Sequence, residues 1–270
     1  MPCVTDAGVC DFILQASDFG YHLPMPLHRY KMTIAYDGTA YCGWQRQPDP
    51  TPTVQRTVER AAGEIVDHPV TCHGSSRTDQ GVHAWGQVAY LETTSDLEPD
   101  RLRYAINSRL PGDVLIRLLE PVTNVFDVRA ARCKRYRYCI WTGRDRPLFQ
   151  RQYVYHFPGR LDLPRLQAAC RLLEGTHDFA SMQGKSEPRL TTERTIFHCV
   201  AHQRGELIVV GVEGDGFLYH MVRNMVGTAL EAARGKLEPE RIGEILQSRD
   251  RAKAGPCLPA QGLCLQWIRF

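Results

Sequence analysis

At 270 residues, with 43% hydrophobic and 23% charged side chains, the chain is long enough to bury one large core or two medium ones and too apolar to be disordered in bulk. Its formal net charge of +3 is modest, yet 28 of its 33 basic residues are Arg, whose planar fork matches phosphate oxygens better than a Lys point charge does. No apolar run approaches the ~20 residues that span a bilayer, and residues 1–28 hold Asp6, Asp11 and Asp18 with no Lys or Arg, which argues against secretory and mitochondrial presequences and for a cytoplasmic protein.

Residues 1–29 show no clear periodicity and read as an extension, with Met25 and Met32 as alternative starts. From Arg29 to Ala35 an extended pattern begins and runs into a turn at Asp37-Gly38. The spacing of Val54, Val58, Ala61, Ala62 and Ile65 predicts a helix that Thr53 caps, because its hydroxyl accepts from a free amide of the first turn. A β-like stretch at Pro69–Cys72 and an extended one at Gln87–Leu91 leave Asp79 on the loop between them. Further helices are expected at Pro99–Leu110, Pro164–Leu173, Met221–Ala233 and Glu238–Gln247. Strands are expected at Tyr136–Trp141, Ile196–His202, Leu207–Val212 and Cys264–Phe270. Such alternation implies an α+β or α/β body with helix-covered sheets, and Arg144–Pro147 is a candidate junction between a half at 30–145 and a half at 146–270.

Ten cysteines are scattered without a CxxC pair and read as reduced core residues. His198 and His202 lie four apart, but on an alternating, β-branched stretch, not on the helix a zinc enzyme's HExxH requires, so no metal is expected.

Four features can carry chemistry, and each has a plain structural alternative. Thr78-Asp79-Gln80-Gly81 has the make-up of an ordinary turn, yet Arg77 and His83 crowd the same Gly-bounded loop, where scaffolds present functional groups. In FDVRAARCKRYRYCIW (126–141), basic residues interleave with Tyr136 and Tyr138, which alternation places on one face. They suit stacking on exposed bases, or equally a core strand with solvated arginines. Residues 129–151 carry Arg129, Arg132, Lys134, Arg135, Arg137, Arg144, Arg146 and Arg151 against the single acid Asp145, a polyanion footprint or a solvated face. Arg223 falls within the apolar stripe of Phe217, Leu218, Met221, Val222, Met225, Val226 and Leu230. It lies on the helix's polar side or is buried, and burial demands an acceptor.

From Lys31 to Phe270 the chain resembles the TruA-type family of tRNA pseudouridine synthases, through six blocks in the family's order. They are YDGTAYCGWQRQ (36–47) with TVQRTVE (53–59), SRTDQGVHAWGQV (76–88), KRYRYCI (134–140), GTHDFASM (175–182), GDGFLYHMVRNMVGTALEAARGKL (214–237) and AGPCLPAQGLCLQWIRF (254–270). The resemblance implies the pseudouridine synthase fold, two α/β halves with mainly antiparallel sheets flanking a basic cleft, and usually a homodimer. It implies an isomerase that needs no cofactor and acts on the tRNA anticodon stem-loop, at positions 38, 39 and 40. Asp79 matches the family's catalytic Asp, Tyr136 its active-site Tyr, Arg223 the Arg that pairs with the Asp, and Arg77 the loop's basic residue. His83, Arg129, Arg135, Arg137 and Tyr138 are expected to contribute to substrate binding. The chain departs from the family pattern with Ser76 in place of Gly, Gln80 in place of Ala, the bulky Trp85, Cys257 in place of Thr, and one residue fewer between Phe126 and Tyr136.

Arg223 within a few Å is expected to lower the pKa of Asp79 and to relieve its own burial at the same time. Two rival functions use the same residues: a tRNA-binding protein that has lost turnover, and an RNA N-glycosidase.

Overall fold

The computed structural model describes residues 26–185 and 191–270, so most of the expected N-terminal extension lies outside the described residues. Strand β1 (His28–Tyr36) follows the alternation its sequence shows: Tyr30, Met32, Ile34 and Tyr36 are buried while the residues between them are partly exposed. Helix α1 (Val54–Val66) starts where expected, with Thr53 Oγ1 accepting from the Arg56 amide at 3.5 Å, and stops at Asp67 in the left-handed conformation. Strands β2 (Cys72–Gly74) and β3 (His83–Thr93) flank the Asp79 loop. Next come α2 (Pro99–Asn107), β4 (Val114–Val122), β5 (Cys133–Trp141) and the short β6 (Tyr155–His156). Helix α3 (Leu163–Arg171) has Asp162 accepting from the Arg165 amide at its N-terminus, and β7 (Gly175–Asp178), β8 (Glu193–Arg204) and β9 (Leu207–Gly214) follow. The body closes with α4 (Met221–Ala233), α5 (Arg241–Ser248) and β10 (Leu263–Arg269).

The strands form one ten-stranded sheet in the order β4-β1-β3-β10-β5-β9-β8-β7, with β2 paired to β3 and β6 to β5. Where two sheets were expected, there is one, because β10 lies between β3 and β5. It is antiparallel to β5 over six residue pairs, Leu263↔Tyr138 to Arg269↔Cys133, and parallel to β3 at only two, Cys264↔His83 and Leu265↔Ala84. Most other neighbours are antiparallel. Most of the buried apolar residues likewise form one continuous cluster, reaching from Tyr30 and Met32 in β1 to Ile268 in β10.

Three strands lay outside the sequence expectation, β4, β6 and β7. Of these β4 is a sheet edge, where Pro121 is tolerated and where Leu115 and Leu118 remain exposed while Val114, Ile116 and Leu119 are buried. His198 and His202 lie on strand β8, as their alternating neighbours indicated. Cys72, Cys139, Cys170 and Cys199 are in the core, whereas Cys42, Cys133, Cys257 and Cys264 are partly exposed. Among the described residues, no helix is long and apolar enough to cross a membrane.

Candidate active site

The loop from Ser75 to Val82 carries Asp79, and three neighbours and an internal turn fix its path. The Ser75 amide donates to Val88 O at 2.8 Å, and the buried Gln87 amide brackets Ser76 by accepting from its N–H (3.2 Å) and donating to its carbonyl (2.5 Å). The Thr78 hydroxyl shares a hydrogen bond of 2.7 Å with the buried Tyr36 hydroxyl, and a turn returns the Val82 amide to Asp79 O at 3.1 Å. The segment 36–47 cradles this loop from outside: Trp44 N donates to Thr78 O and Gly81 N to Tyr41 O. Glycine is required there for close approach, since a Cβ on Gly43 would stand 2.5 Å from Thr78 O and one on Gly38 2.0 Å from Val82 O.

Across the cleft, the start of α4 presents a guanidinium and an imidazole to the Asp79 carboxylate. Arg223 Nη1 lies 3.5 Å and His220 Nε2 3.6 Å from Oδ2, with the Asp79 side chain only 18% exposed and that of Arg223 14%. The Arg223 Nε donates to Leu258 O at 2.6 Å, so the guanidinium is held from both sides. Arg223 is therefore largely withdrawn from solvent and partnered, closer to the second of its two readings.

Tyr136 is buried, its ring meeting Phe217 edge-on at 5.1 Å and its hydroxyl 2.9 Å from Ser76 Oγ. Beside it, Lys134 Nζ donates to Ser75 O at 2.7 Å. These groups border a cavity of about 1530 Å³, whose lining includes Arg77, Asp79, Arg129, Lys134, Tyr136, Phe217 and His220.

Burial dominates the electrostatics here. Desolvation raises the Asp79 pKa above the ordinary aspartate value, and the opposing pull of His220 and then Arg223 does not cancel it. Arg223 pulls the pKa down as expected, but removing the carboxylate from water outweighs that pull, so the net shift is upward. Burial also lowers His220, against the attraction of Asp79 and with help from Arg223 and Arg251. It pushes Tyr136 up to about 12, with the Ser76 hydrogen bond opposing, and brings Lys134 down to about 8.

The structure brings Asp79, Tyr136 and Arg223 together and places Arg77 and Arg129 on the cleft, both exposed, Arg129 pairing with Asp127 at 3.1 Å. It does not bring the other four expected binding residues there. His83 is buried, accepting from the Gly38 amide at 3.0 Å and sharing a hydrogen bond with Gln152 O at 2.8 Å, so it ties the Asp37-Gly38 turn to the segment after β5. Tyr138 is fully buried and donates to Pro259 O at 2.7 Å. Arg135 and Arg137 alternate to the sheet face opposite Tyr136, Arg135 pairing with Glu213 at 2.6 Å.

Sequence reasoning passed over His220, Phe217 and Lys134 as site residues. His220 had a signal: it stands three residues before Arg223, one helical turn away on the same side. Ser76 was noticed as a departure from the family pattern, but its bond to Tyr136 was not foreseen.

The model of a family described as tRNA pseudouridine synthase matches residues 32–129 and 169–270. The chain is 42% identical over 245 residues to tRNA pseudouridine synthase A 2 of Clostridium perfringens, covering 90% of this chain and 100% of that protein. It is 42% identical over 244 residues to tRNA pseudouridine synthase A of Moorella thermoacetica (89% of this chain, 98% of that one), and 40% identical over 235 residues to tRNA pseudouridine synthase A of Caldicellulosiruptor bescii (87% and 96%). With its family model matched over most of its length, and a carboxylate, a guanidinium and a tyrosine gathered in one cleft, the chain belongs to the tRNA pseudouridine synthase family.

Proposed function

We propose that this protein isomerises uridine to pseudouridine in the anticodon stem-loop of tRNA, at positions 38, 39 and 40, with Asp79 as the catalytic carboxylate and no cofactor. The observation that carries the reading is the Asp79 carboxylate at the cavity wall, held between Arg223 and His220 within the same cleft as Tyr136. The reaction breaks the N1–C1′ bond, turns the uracil, joins C5 to C1′ and moves the C5 proton to N1 or solvent, so it consumes neither water nor an oxidant. Asp79 serves by attacking the ribose carbon or by taking a ribose proton, and both routes need it ionised. Arg223 favours that form against the burial that opposes it.

Tyr136, whose phenol remains neutral at physiological pH, stacks against the uracil or relays the C5 proton. Arg77, exposed on the rim, takes the space left when the uridine is flipped from the RNA stack. The family resemblance supports a cytoplasmic homodimer built from two halves, 30–145 and 146–270. The exposed Trp85, Leu115 and Leu118 on β3 and β4 are consistent with a covered surface there.

Incubating the protein with unmodified tRNA transcript and mapping pseudouridine tests the proposal. Pseudouridine at those positions supports it, abasic sites identify a glycosidase instead, and binding without product identifies an inactive tRNA reader. Two variants refine it. Tyr136→Phe, which removes only the oxygen bonded to Ser76, is expected to lower the single-turnover rate about 10²- to 10³-fold with tRNA affinity unchanged, the range of a lost proton-transfer group. Arg77→Ala is expected to weaken tRNA binding and to reduce the slope of log affinity against log salt by about 1, measured by filter binding over a salt series.

A further inference from the structure

Three described residues other than glycine have positive φ: Asp67, His220 and Arg249. Asp67 and Arg249 end helices α1 and α5, where the left-handed conformation is the usual way to stop. His220 is different. It stands at the start of α4, with φ 60° and ψ 3°, at a position whose normal backbone is extended so that the side chain can accept from the first helical amides. Its imidazole makes no such cap and turns into the cleft, toward Asp79. Strained non-glycine backbone of this kind persists where its surroundings over-determine it, and gathers at active sites.

The surroundings are tight. The His220 ring stacks on Tyr219 with centroids 3.7 Å apart, and Gly184 leaves it room: a Cβ there would lie 2.9 Å from His220 Nδ1 and 3.0 Å from Tyr219 Cδ1. The Gly184 amide donates to Tyr219 O at 2.8 Å and the Asn224 amide to His220 O at 3.0 Å, so the backbone on both sides of the imidazole is pinned. The ring that results turns Nε2 toward the oxygen of Asp79 that Arg223 also faces.

We propose that His220 is a positioning residue of the isomerisation, its imidazole and the Arg223 guanidinium fixing Oδ2 of Asp79 from two sides so that Oδ1 is the oxygen turned to the ribose of the target uridine. The proposal rests on the reaction assigned above. The charged and titratable groups around the imidazole are Asp79 from the loop after β2, Arg223 one turn along α4, Arg251 from the 3-10 turn at Arg251–Lys253, and the neighbouring Tyr219. Asp79 draws a proton to His220 while the two arginines repel it, so the imidazole shares one electrostatic site with the carboxylate it holds.

The test uses His220→Asn, because Asn tolerates the left-handed backbone while removing the ring, with His220→Gly as a second variant that relieves the backbone outright. Single-turnover rates on tRNA transcript are measured from pH 5 to 9 with tRNA affinity in parallel, and the Asp79 carboxyl is titrated by 13C NMR in the tRNA-free protein. The expected result is a rate reduced about 10- to 100-fold in both variants at unchanged affinity, the cost of a misplaced reacting group. The acid limb of the rate profile and the Asp79 titration should both move to higher pH, because the pull of His220 toward ionisation is gone. A loss of affinity at unchanged rate would overturn the proposal, making His220 an RNA contact, and so would an Asp79 titration identical to wild type. Wild-type protein that makes no pseudouridine overturns the assigned reaction instead, while the titration still reads the clamp.

Discussion

Asp79→Asn is expected to abolish pseudouridine formation, by about 10⁴-fold or more, while the protein still folds and still binds tRNA. The amide keeps the size of the carboxylate and loses both of its possible roles, since it neither attacks C1′ nor accepts a ribose proton. Stability separates this loss from unfolding. Burial raises the Asp79 pKa in the folded state above its unfolded value, so ionising it opposes folding. The opposition is absent below the ordinary aspartate range and complete above the raised value, so wild-type stability declines as pH rises between the two. Asp79→Asn lacks that decline. Denaturation measured from pH 4 to 8 should show the variant gaining on wild type as pH increases, less what Arg223 loses with its partner. A variant that is inactive but does not gain on wild type as pH rises would refute this account of the carboxylate.

Arg223→Leu is expected to have the next largest effect, and in the opposite sense for stability. It leaves the Asp79 carboxylate in a desolvated site with only the His220 imidazole beside it, and removing one member of a buried pair costs about 3–5 kcal/mol. Since Asp79 is then still harder to ionise, the loss is largest at neutral pH and vanishes below the ordinary aspartate range. The acid limb of activity moves upward, and the rate at neutral pH falls by about 10²- to 10³-fold as less Asp79 is ionised and its geometry loosens. Arg223→Lys keeps the charge but not the planar fork that faces Asp79 Oδ2 while bonding Leu258 O, so it is expected to recover stability more than rate. Paired urea melts and single-turnover kinetics distinguish the two variants.

The same residues mark what the sequence made legible. Local patterns are intact where one face of an element is buried: the alternation of β1 and β9, the Thr53 cap of α1 and the apolar stripe of α4 were all readable. Strand β4 was not, because as a sheet edge it exposes Leu115 and Leu118 and blurs the period. The seat of β10 between β3 and β5 is a pairing between residues more than a hundred positions apart, which no window of sequence contains. In the site, the identity of Asp79, Arg223 and Tyr136 came with the family pattern, but the sign of the Asp79 shift did not. Charge partners can be guessed from sequence, whereas desolvation depends on what closes over the group in three dimensions. Tyr136 and Tyr138 illustrate the same limit, sharing a face of β5, with one at the cleft and the other sealed under Pro259. The misplacement of Arg135 and Arg137 was avoidable, since an alternation that puts both tyrosines on one face sends the intervening arginines to the other.

Strand β10 follows every other described strand in the chain, yet it sits in the middle of the sheet. Translation therefore delivers the central plank after the boards on either side of it. Until residues 263–269 have left the ribosome, the wall that carries Asp79 and the wall that carries Tyr136 have no strand between them to set their spacing. A nascent chain without β10 holds every reactive group of the site but not the strand that joins its two walls, so competence to modify RNA arrives as a late step of synthesis and not gradually along it.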